Sequence, residues 1–224
     1  MQVDIPVVVK RMRQSKYIRM RIGKAGEVLV TAPLFASERQ IEEFIRGNEE
    51  WIRKQQKKRM EMQEKFPKVV VAEGAKCLYL GREVKFHFVP AKRIQVVGDT
   101  IHLPFGTDKE KLIAWLKRQA KLRTIARTDF YADKMGLSYE QLKVTGAKGK
   151  WGSCSSHRTI IFSWYLILCP PEAIDYVVVH ELAHLREMNH SQAFWKLVRE
   201  YYPDYVNQKA WLRKNAAIMN MWDD

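Results

Sequence analysis

The sequence predicts an α+β protein with a β-rich N-terminal region and a largely helical remainder. Three observations point there. Short β-branched and aromatic runs, punctuated by glycine and proline, fill most of residues 5–32 and 68–105. Two long stretches of helical character, residues 36–66 and 109–135, separate those runs from each other and from the C-terminal part of the chain. Beyond residue 171 nearly the whole chain has helical periodicity. Strands gathered at one end and helices at the other are the pattern of segregated α+β layers. With 224 residues, 46% of them hydrophobic, the chain can bury one large core or two small ones. The expected division falls at 105/106, with residues 1–105 as a β-rich region carrying one long helix and residues 106–224 as a second domain.

Taken in order, Ile5–Val9, Tyr17–Ile22 and Val28–Ala32 read as strands, and Gly23 and Gly26 bracket the turn before the third. "ASERQIEEFIRGNEEWIRKQQKKRMEMQEKF" reads as one long helix. Ser37 is its N-cap, Gln40 completes a capping box, Gly47 is a kink site and Pro67 is the stop. Ile41, Phe44, Ile45, Trp51 and Ile52 form its apolar stripe. "CLYLG", "REVKFHFV", "RIQVV" and "TIHLPF" are the strands of a small antiparallel sheet, broken at Gly81, Pro90 and Gly98-Asp99. A second long helix spans Lys109 to Met135, with Gly136 as its C-cap. "LKVTGAKGKWGSCSS" and "TIIFSWYLIL" then read as two strands around a glycine-containing turn. Helices over Pro171–Glu187, Ser191–Tyr202 and Tyr205–Met219 complete the chain.

Charge and cysteine usage narrow the setting. Lys and Arg number 39 against 25 Asp and Glu, a net charge of +14. That excess suits nucleic acid, nucleotides, acidic proteins or anionic surfaces, and it also simply keeps a protein soluble. "WIRKQQKKR" is a candidate phosphate contact, although a solvated helix face is the default reading of such a run. No apolar run approaches the ~20 residues of a membrane span. The N-terminal segment has its charges after its apolar part, so it does not read as a signal peptide. Three cysteines, Cys77, Cys154 and Cys169, do not make a disulfide framework, and they lead us to expect a reducing, cytoplasmic setting.

The chemistry concentrates in "VVVHELAHLREMNH", Val177 to His190. At ~100° per residue, Ile174, Val177, Val178, Val179, Leu182, Ala183 and Leu185 spread around most of the helix, which marks it as buried. Its polar members, His180, Glu181 and His184, therefore need partners inside the protein. His180 and His184 lie one turn apart on one face, so their imidazoles can converge on a single metal ion. Glu181 lies about 60° round from His184 and flanks such an ion rather than ligating it. This is the His-Glu-x-x-His arrangement of zinc hydrolases, with the glutamate as general base toward a metal-activated water. His190 reaches the same ion only if the chain turns after His184, and Asn189, tolerant of the left-handed conformation, could supply that turn. Two histidines on a helix and one beyond it leave a fourth tetrahedral position for water. Glu187 and Glu200 are the rival third ligands, and three core histidines bonded to backbone are the bland alternative.

Other features are less specific. Thr159 to Leu168, apolar on both faces, is either an ordinary buried strand or an exposed edge that holds a peptide by backbone pairing. Lys150-Trp151-Gly152-Ser153-Cys154 is a tight turn that could border a cleft, and Cys154 is either a reactive thiol or a bland small residue. Tyr201, Tyr202, Tyr205 and Arg186 are candidate oxyanion donors for a hydrolase.

"KWGSCSS" followed by "SWYLILCPPEAIDYVVVHELAHLREMNHSQAFW" resembles the YgjP-like metallopeptidase family, which is similar to the SprT-like and WLM proteases of the zincin group. "VTAP" and "WIRK" extend the resemblance into the N-terminal half. It implies a zincin-like metallopeptidase core in residues 106–224, His180, His184 and His190 as ligands of one Zn²⁺, and Glu181 as catalytic acid/base. Metzincin proteases share the ten-residue histidine spacing but have glycine at the turn, where this chain has Glu187; Ser163 stands where the family often has asparagine. The expected function is zinc-dependent peptide hydrolysis, and the likeness to SprT-like proteases suggests substrates associated with DNA. Two rivals stand beside it. One is metal-dependent hydrolysis of a nucleotide phosphoanhydride, for which no glycine-rich phosphate loop is visible. The other is a non-catalytic interaction protein that zinc merely stabilises.

Overall fold

The computed structural model describes residues 6–23 and 26–222 of the chain. It confirms the α+β class. Ile5, the first residue of the expected first strand, lies outside the described residues. No described helix is long and apolar enough to cross a membrane. By compactness the chain divides into two units, Met1–Pro67 and Lys68–Asp224.

In the first unit, β1 (Val7–Met12), β2 (Arg19–Ile22) and β3 (Val28–Pro33) form a sheet of order β1-β3-β2, parallel between β1 and β3 and antiparallel between β2 and β3. Alternation along β3 sends Val28, Val30 and Ala32 into a small core with Ala36, Ile41 and Ile52. The capping box forms as expected: Gln40 N–H donates to Ser37 Oγ at 3.2 Å and Ser37 N–H to Gln40 Oε1 at 2.9 Å. The long helix is in fact two, α1 (Glu38–Gly47) and α2 (Glu49–Lys65). Gly47 weakens the helix, and Asn48 leaves helical geometry while its side-chain amide donates to the Phe44 carbonyl at 2.8 Å.

The second unit begins with β4 (Lys76–Tyr79), β5 (Arg82–Val89), β6 (Gln95–Val97) and β7 (Thr100–Pro104). The expected all-antiparallel sheet is mixed. Its order is β4-β5-β7-β6, because two hairpins lie side by side through a parallel β5–β7 contact. Residue 105 is no boundary of compactness. The β4–β5 turn donates backbone N–H groups from Leu80 to the Ile167 carbonyl (2.7 Å) and from Gly81 to the Leu168 carbonyl (3.2 Å), and Tyr79 stacks on Trp115 with ring centroids 5.6 Å apart. Helix α3 (Lys109–Met135) starts on Asp108, whose carboxylate accepts the Lys111 N–H at 2.8 Å, and ends on Gly136 at φ 60°.

Next come β8 (Gln141–Thr145), β9 (Gly152–Cys154) and β10 (Thr159–Ser163), in the order β8-β10-β9. The expected strand 159–168 stops at Ser163. Trp164–Leu168 coils into a 3-10 helix with all five side chains buried, which is why that run lacks period-two alternation. β10 is central, paired with β8 on one side and β9 on the other, so it has no free edge to offer a peptide. The edge strands are β8 and β9, and β9 is the one beside Glu181.

Three helices complete the fold, α4 (Pro171–Ala183), α5 (Gln192–Tyr201) and α6 (Tyr205–Lys214), and Ala216–Asn220 forms a closing 3-10 turn. The helix expected to reach Glu187 ends at Ala183, and the one expected to reach Met219 ends at Lys214. α4 is the buried helix its composition requires: Ile174, Val177, Val178, Val179 and Leu182 pack with Ile160, Phe162, Leu166, Phe194 and Val198. Burial of each such side chain stabilises the fold by about 1.5–3 kcal/mol. A bidentate pair ties α4 to α3: Arg127 Nε and Nη2 donate to the Asp175 carboxylate at 2.6 and 2.7 Å, and the guanidinium lies 4.5 Å from the Phe130 ring centroid. Arg127→Ala should cost about 2 kcal/mol, the range of hydrogen bonds to charged groups. Thermal melts should show a midpoint about 4–8 °C lower, and an unchanged midpoint would reduce the pair to decoration.

Candidate metal centre

Helix α4 ends just where its chemistry begins. His180 and Glu181 lie in its last turn, and His184 caps it. The chain then tightens, with Leu185 N–H donating to the Leu182 carbonyl and Arg186 and Glu187 N–H groups to the Ala183 carbonyl. The turn does not use a left-handed residue. Leu80 and Arg158 are the described non-glycine residues at positive φ, and Asn189 is not among them. Asn189 acts through its side chain, whose Oδ1 accepts the Ser191 N–H at 3.1 Å, and Ser191 then caps α5 by accepting the Phe194 N–H at 3.2 Å. A polar side chain does here what a glycine backbone could do.

The result is convergence. One ligand atom from each of His180, His184 and His190 lies within 4.8 Å of the others, and the Nε2 atoms of His180 and His190 are 3.1 Å apart. Three nitrogens at ~2.0–2.1 Å from a tetrahedral ion would sit about 3.3–3.4 Å apart, so the cluster needs little adjustment to hold one. His184 is already oriented, since its Nδ1 lies 3.0 Å from the Glu187 carbonyl; with that nitrogen as donor, Nε2 is free for a ligand bond. His180 is placed by packing, because its Nδ1 is buried without a hydrogen-bond partner among the described residues while Phe194 and Tyr176 lie 4.9 and 5.8 Å from its ring. Burial, then the neighbouring His184, His190 and Lys209, push the His180 pKa down to about 3, so its lone pair is available to a cation. Burial and the charges of His184 and Lys209 also lower that of His190.

The rival third ligands are not in this group. Glu187 contributes its backbone carbonyl to His184, and Glu200 is exposed on α5.

Glu181 is 4% exposed, with Oε2 lacking a partner among the described residues. Burial pushes its pKa up to about 8 against the opposing field of Lys150. Strand β9 closes on it. A Cβ added to Gly152 would lie 2.7 Å from Glu181 Cγ and Oε1, so only glycine lets the edge strand approach this closely. The turn Lys150–Gly152 does border a cleft. A depression of about 320 Å³ is lined by Lys150, Trp151, Gly152, Tyr176, Val177, His180, Glu181, Lys209, Leu212 and Arg213.

Several of these residues escape a reading of the sequence alone. Tyr176 was not among the expected donors, although a local signal was present: it stands four residues before His180, one turn below it on the same face. Its phenol is pushed up to about 12 by burial and by Glu181 and Tyr205. Lys209 and Arg213 lie on α6, and only tertiary packing brings them here. Of the expected oxyanion donors, Tyr202 is committed to the Glu172 carbonyl at 2.8 Å, Tyr205 stacks on Trp195, and Arg186 is exposed. Cys154 is no activated thiol, since burial and Glu181 raise its pKa to about 11.

Residues 16–215 match the YgjP-like family, described as "YgjP-like, metallopeptidase domain". No curated protein matches the chain in sequence. Among solved structures, the metallopeptidase zymogen of Pyrococcus abyssi abylysin is similar at a TM-score of 0.37 and 21% identity, over 41% of this chain and 93% of that one. With the family pattern covering nearly its whole length, the chain belongs to the YgjP-like metallopeptidases and is a metal-dependent peptidase.

Proposed function

We propose that the protein hydrolyses peptide bonds with one zinc ion held by His180, His184 and His190 and with Glu181 as acid/base. The observation that carries this is the meeting of three imidazoles within 4.8 Å beside a buried carboxylate. The donor set fits the ion: neutral nitrogen ligands on a helix and the turn after it, with one ring pre-oriented by a backbone carbonyl. Zinc bound there supplies a Lewis acid toward water and the peptide carbonyl. Glu181 takes a proton from the attacking water and delivers it to the departing amine. Tyr176 lines the same cleft, and its hydroxyl has no hydrogen-bond partner among the described residues, which supports it as the donor to the oxyanion. The outer edge of β9, beside Glu181, is the strand edge to which an extended substrate would pair. Purified protein should cleave unstructured polypeptide, lose that activity to a chelator and regain it with one equivalent of zinc. Activity that survives chelation would overturn the reading.

A second observation favours substrates associated with DNA. In the N-terminal sheet, register places Lys10, Thr31 and Arg19 in one cross-strand row and Val8, Leu29 and Arg21 in the next, on the face opposite the buried Val28 and Val30. Arg13 and Lys16 lie in the connection between β1 and β2, beside Tyr17, which is 68% exposed. None of these five cations forms an ion pair among the described residues, whereas Arg11 pairs with Glu38. Unpaired cations around an exposed aromatic suit a phosphate backbone with stacked bases. Retention of single-stranded DNA should fall steeply between 50 and 200 mM salt. Reversing Arg19 and Arg21 to Glu should weaken it at least tenfold; equal binding by that variant would end the DNA reading while leaving the peptidase intact.

A further inference from the structure

The cleft beside Glu181 has an unbalanced charge. Three of its lining residues are cations, Lys150, Lys209 and Arg213, and Glu181 is its only carboxylate. Lys209 and Arg213 stand one turn apart on α6, where like charges repel and ordinarily destabilise a helix. None of the three forms an ion pair with a carboxylate among the described residues, although 25 acidic residues are available in the chain. Lys209 is held in place, its Nζ 4.2 Å from the Trp195 ring centroid, and Trp195 in turn stacks on His190 at 5.6 Å. One cation of the cleft is thus coupled through a single aromatic ring to the metal cluster. Glu181 feels the field of Lys150, but one buried carboxylate does not balance three cations.

From this we propose that the cleft is a carboxylate subsite, which selects substrates carrying an acidic group within a residue or two of the cleaved bond. The inference rests on the peptidase reading for its place in the reaction. The volume, about 320 Å³, lies at the small end of the roughly 300–1,000 Å³ of ligand sites and suits one residue rather than a polymer. The other walls, Trp151, Tyr176, Val177 and Leu212, are apolar or aromatic. An aliphatic stem ending in a carboxylate matches such walls below a cationic rim. A polyphosphate is ordinarily cradled by a succession of backbone N–H groups, and it is set against the carboxylate in the test below. The carboxylate belongs either to an Asp or Glu side chain or to a free C-terminus.

Two assays decide it. Zinc-loaded protein is given matched peptides with Glu, Gln or Lys flanking the cut, each as the free acid and as the C-terminal amide. In parallel, the uncut peptides are titrated into zinc-loaded Glu181→Gln protein and binding is read from tryptophan fluorescence. Glu should exceed Gln at least tenfold in both kcat/KM and affinity, or the free acid should exceed the amide by that margin, which assigns the carboxylate to the terminus. Arg213→Glu, and separately Lys150→Glu as an exposed change on another element, should abolish the preference or invert it toward Lys. Equal cleavage and equal binding of all peptides overturns the subsite and spares the peptidase. Absence of cleavage with a preserved binding preference overturns the peptidase and spares the subsite. Tighter binding of inorganic triphosphate than of any acidic peptide overturns the assignment to carboxylates.

Discussion

Glu181→Gln should lower kcat/KM by about 10²–10⁴-fold, the usual contribution of a positioned acid/base, while zinc content stays at one ion per chain. Glutamine has nearly the same shape, so the contact with Gly152 and the seat in the helix are preserved. What disappears is the ability of the buried oxygen to accept a proton. The site shows the cost of keeping that ability. Glu181 is 4% exposed, one of its oxygens lacks a partner among the described residues, and burial drives its pKa to about 8. A carboxylate so placed destabilises the fold, because desolvation disfavours its charge. Glutamine has neither a charge to desolvate nor a proton to take up on folding, so above the ordinary carboxylate pKa the metal-free variant should melt no lower than wild type. Loss of activity with unchanged or raised stability is the mark of a functional group retained against the interest of the fold. The measurements are kcat/KM on a cleaved peptide, metal content and a thermal melt. Activity above one-tenth of wild type would take Glu181 out of the reaction.

What could be read ahead of the structure divides along a physical line. Local signals were legible. The capping box at Ser37 and Gln40, the Gly136 cap and the all-round apolar character of α4 each depend on residues within a few positions of one another. The histidine pair at i and i+4 is local in the same sense. Signals that depend on pairing at a distance were not legible. Parallel contacts β1–β3, β5–β7 and β8–β10 cannot be told from antiparallel ones by alternation, so the central sheet read as antiparallel and β10 as a possible free edge. The run Trp164–Leu168 read as strand because its β-branched and aromatic composition outweighed its lack of alternation. Asn189 shows a finer limit. Its residue type announced a turn, but whether backbone or side chain would make it depended on the Ser191 N–H being there to accept from. In the site itself, Lys209 and Arg213 carry no local mark of their role, because α6 brings them to α4 only in the folded chain.

His190→Ala tests the other half of the centre. It should abolish zinc binding at micromolar metal and with it all hydrolysis. Loss of an outer partner of a metal ligand already costs 10–100-fold in affinity, and removal of one of three ligand rings costs more. His190 meets Phe194 and Trp195, but it is exposed and outside α4 whereas His180 is set in the buried helix, so the fold leans on His190 less. The metal-free variant should therefore melt close to metal-free wild type. The separation appears on adding zinc. A ligand at 100 times its dissociation constant stabilises the native state by about 2.7 kcal/mol. Wild type should rise by several degrees, and His190→Ala should not move. The same titration separates the ligand sets that the sequence left open. Glu187→Ala keeps the backbone carbonyl that orients His184, and Glu200→Gln alters only an exposed side chain of α5, so both should respond to zinc as wild type does. Should Glu187→Ala lose the response and His190→Ala keep it, the third ligand is a carboxylate, and the 3.1 Å approach of two imidazole nitrogens reflects packing rather than a shared ion.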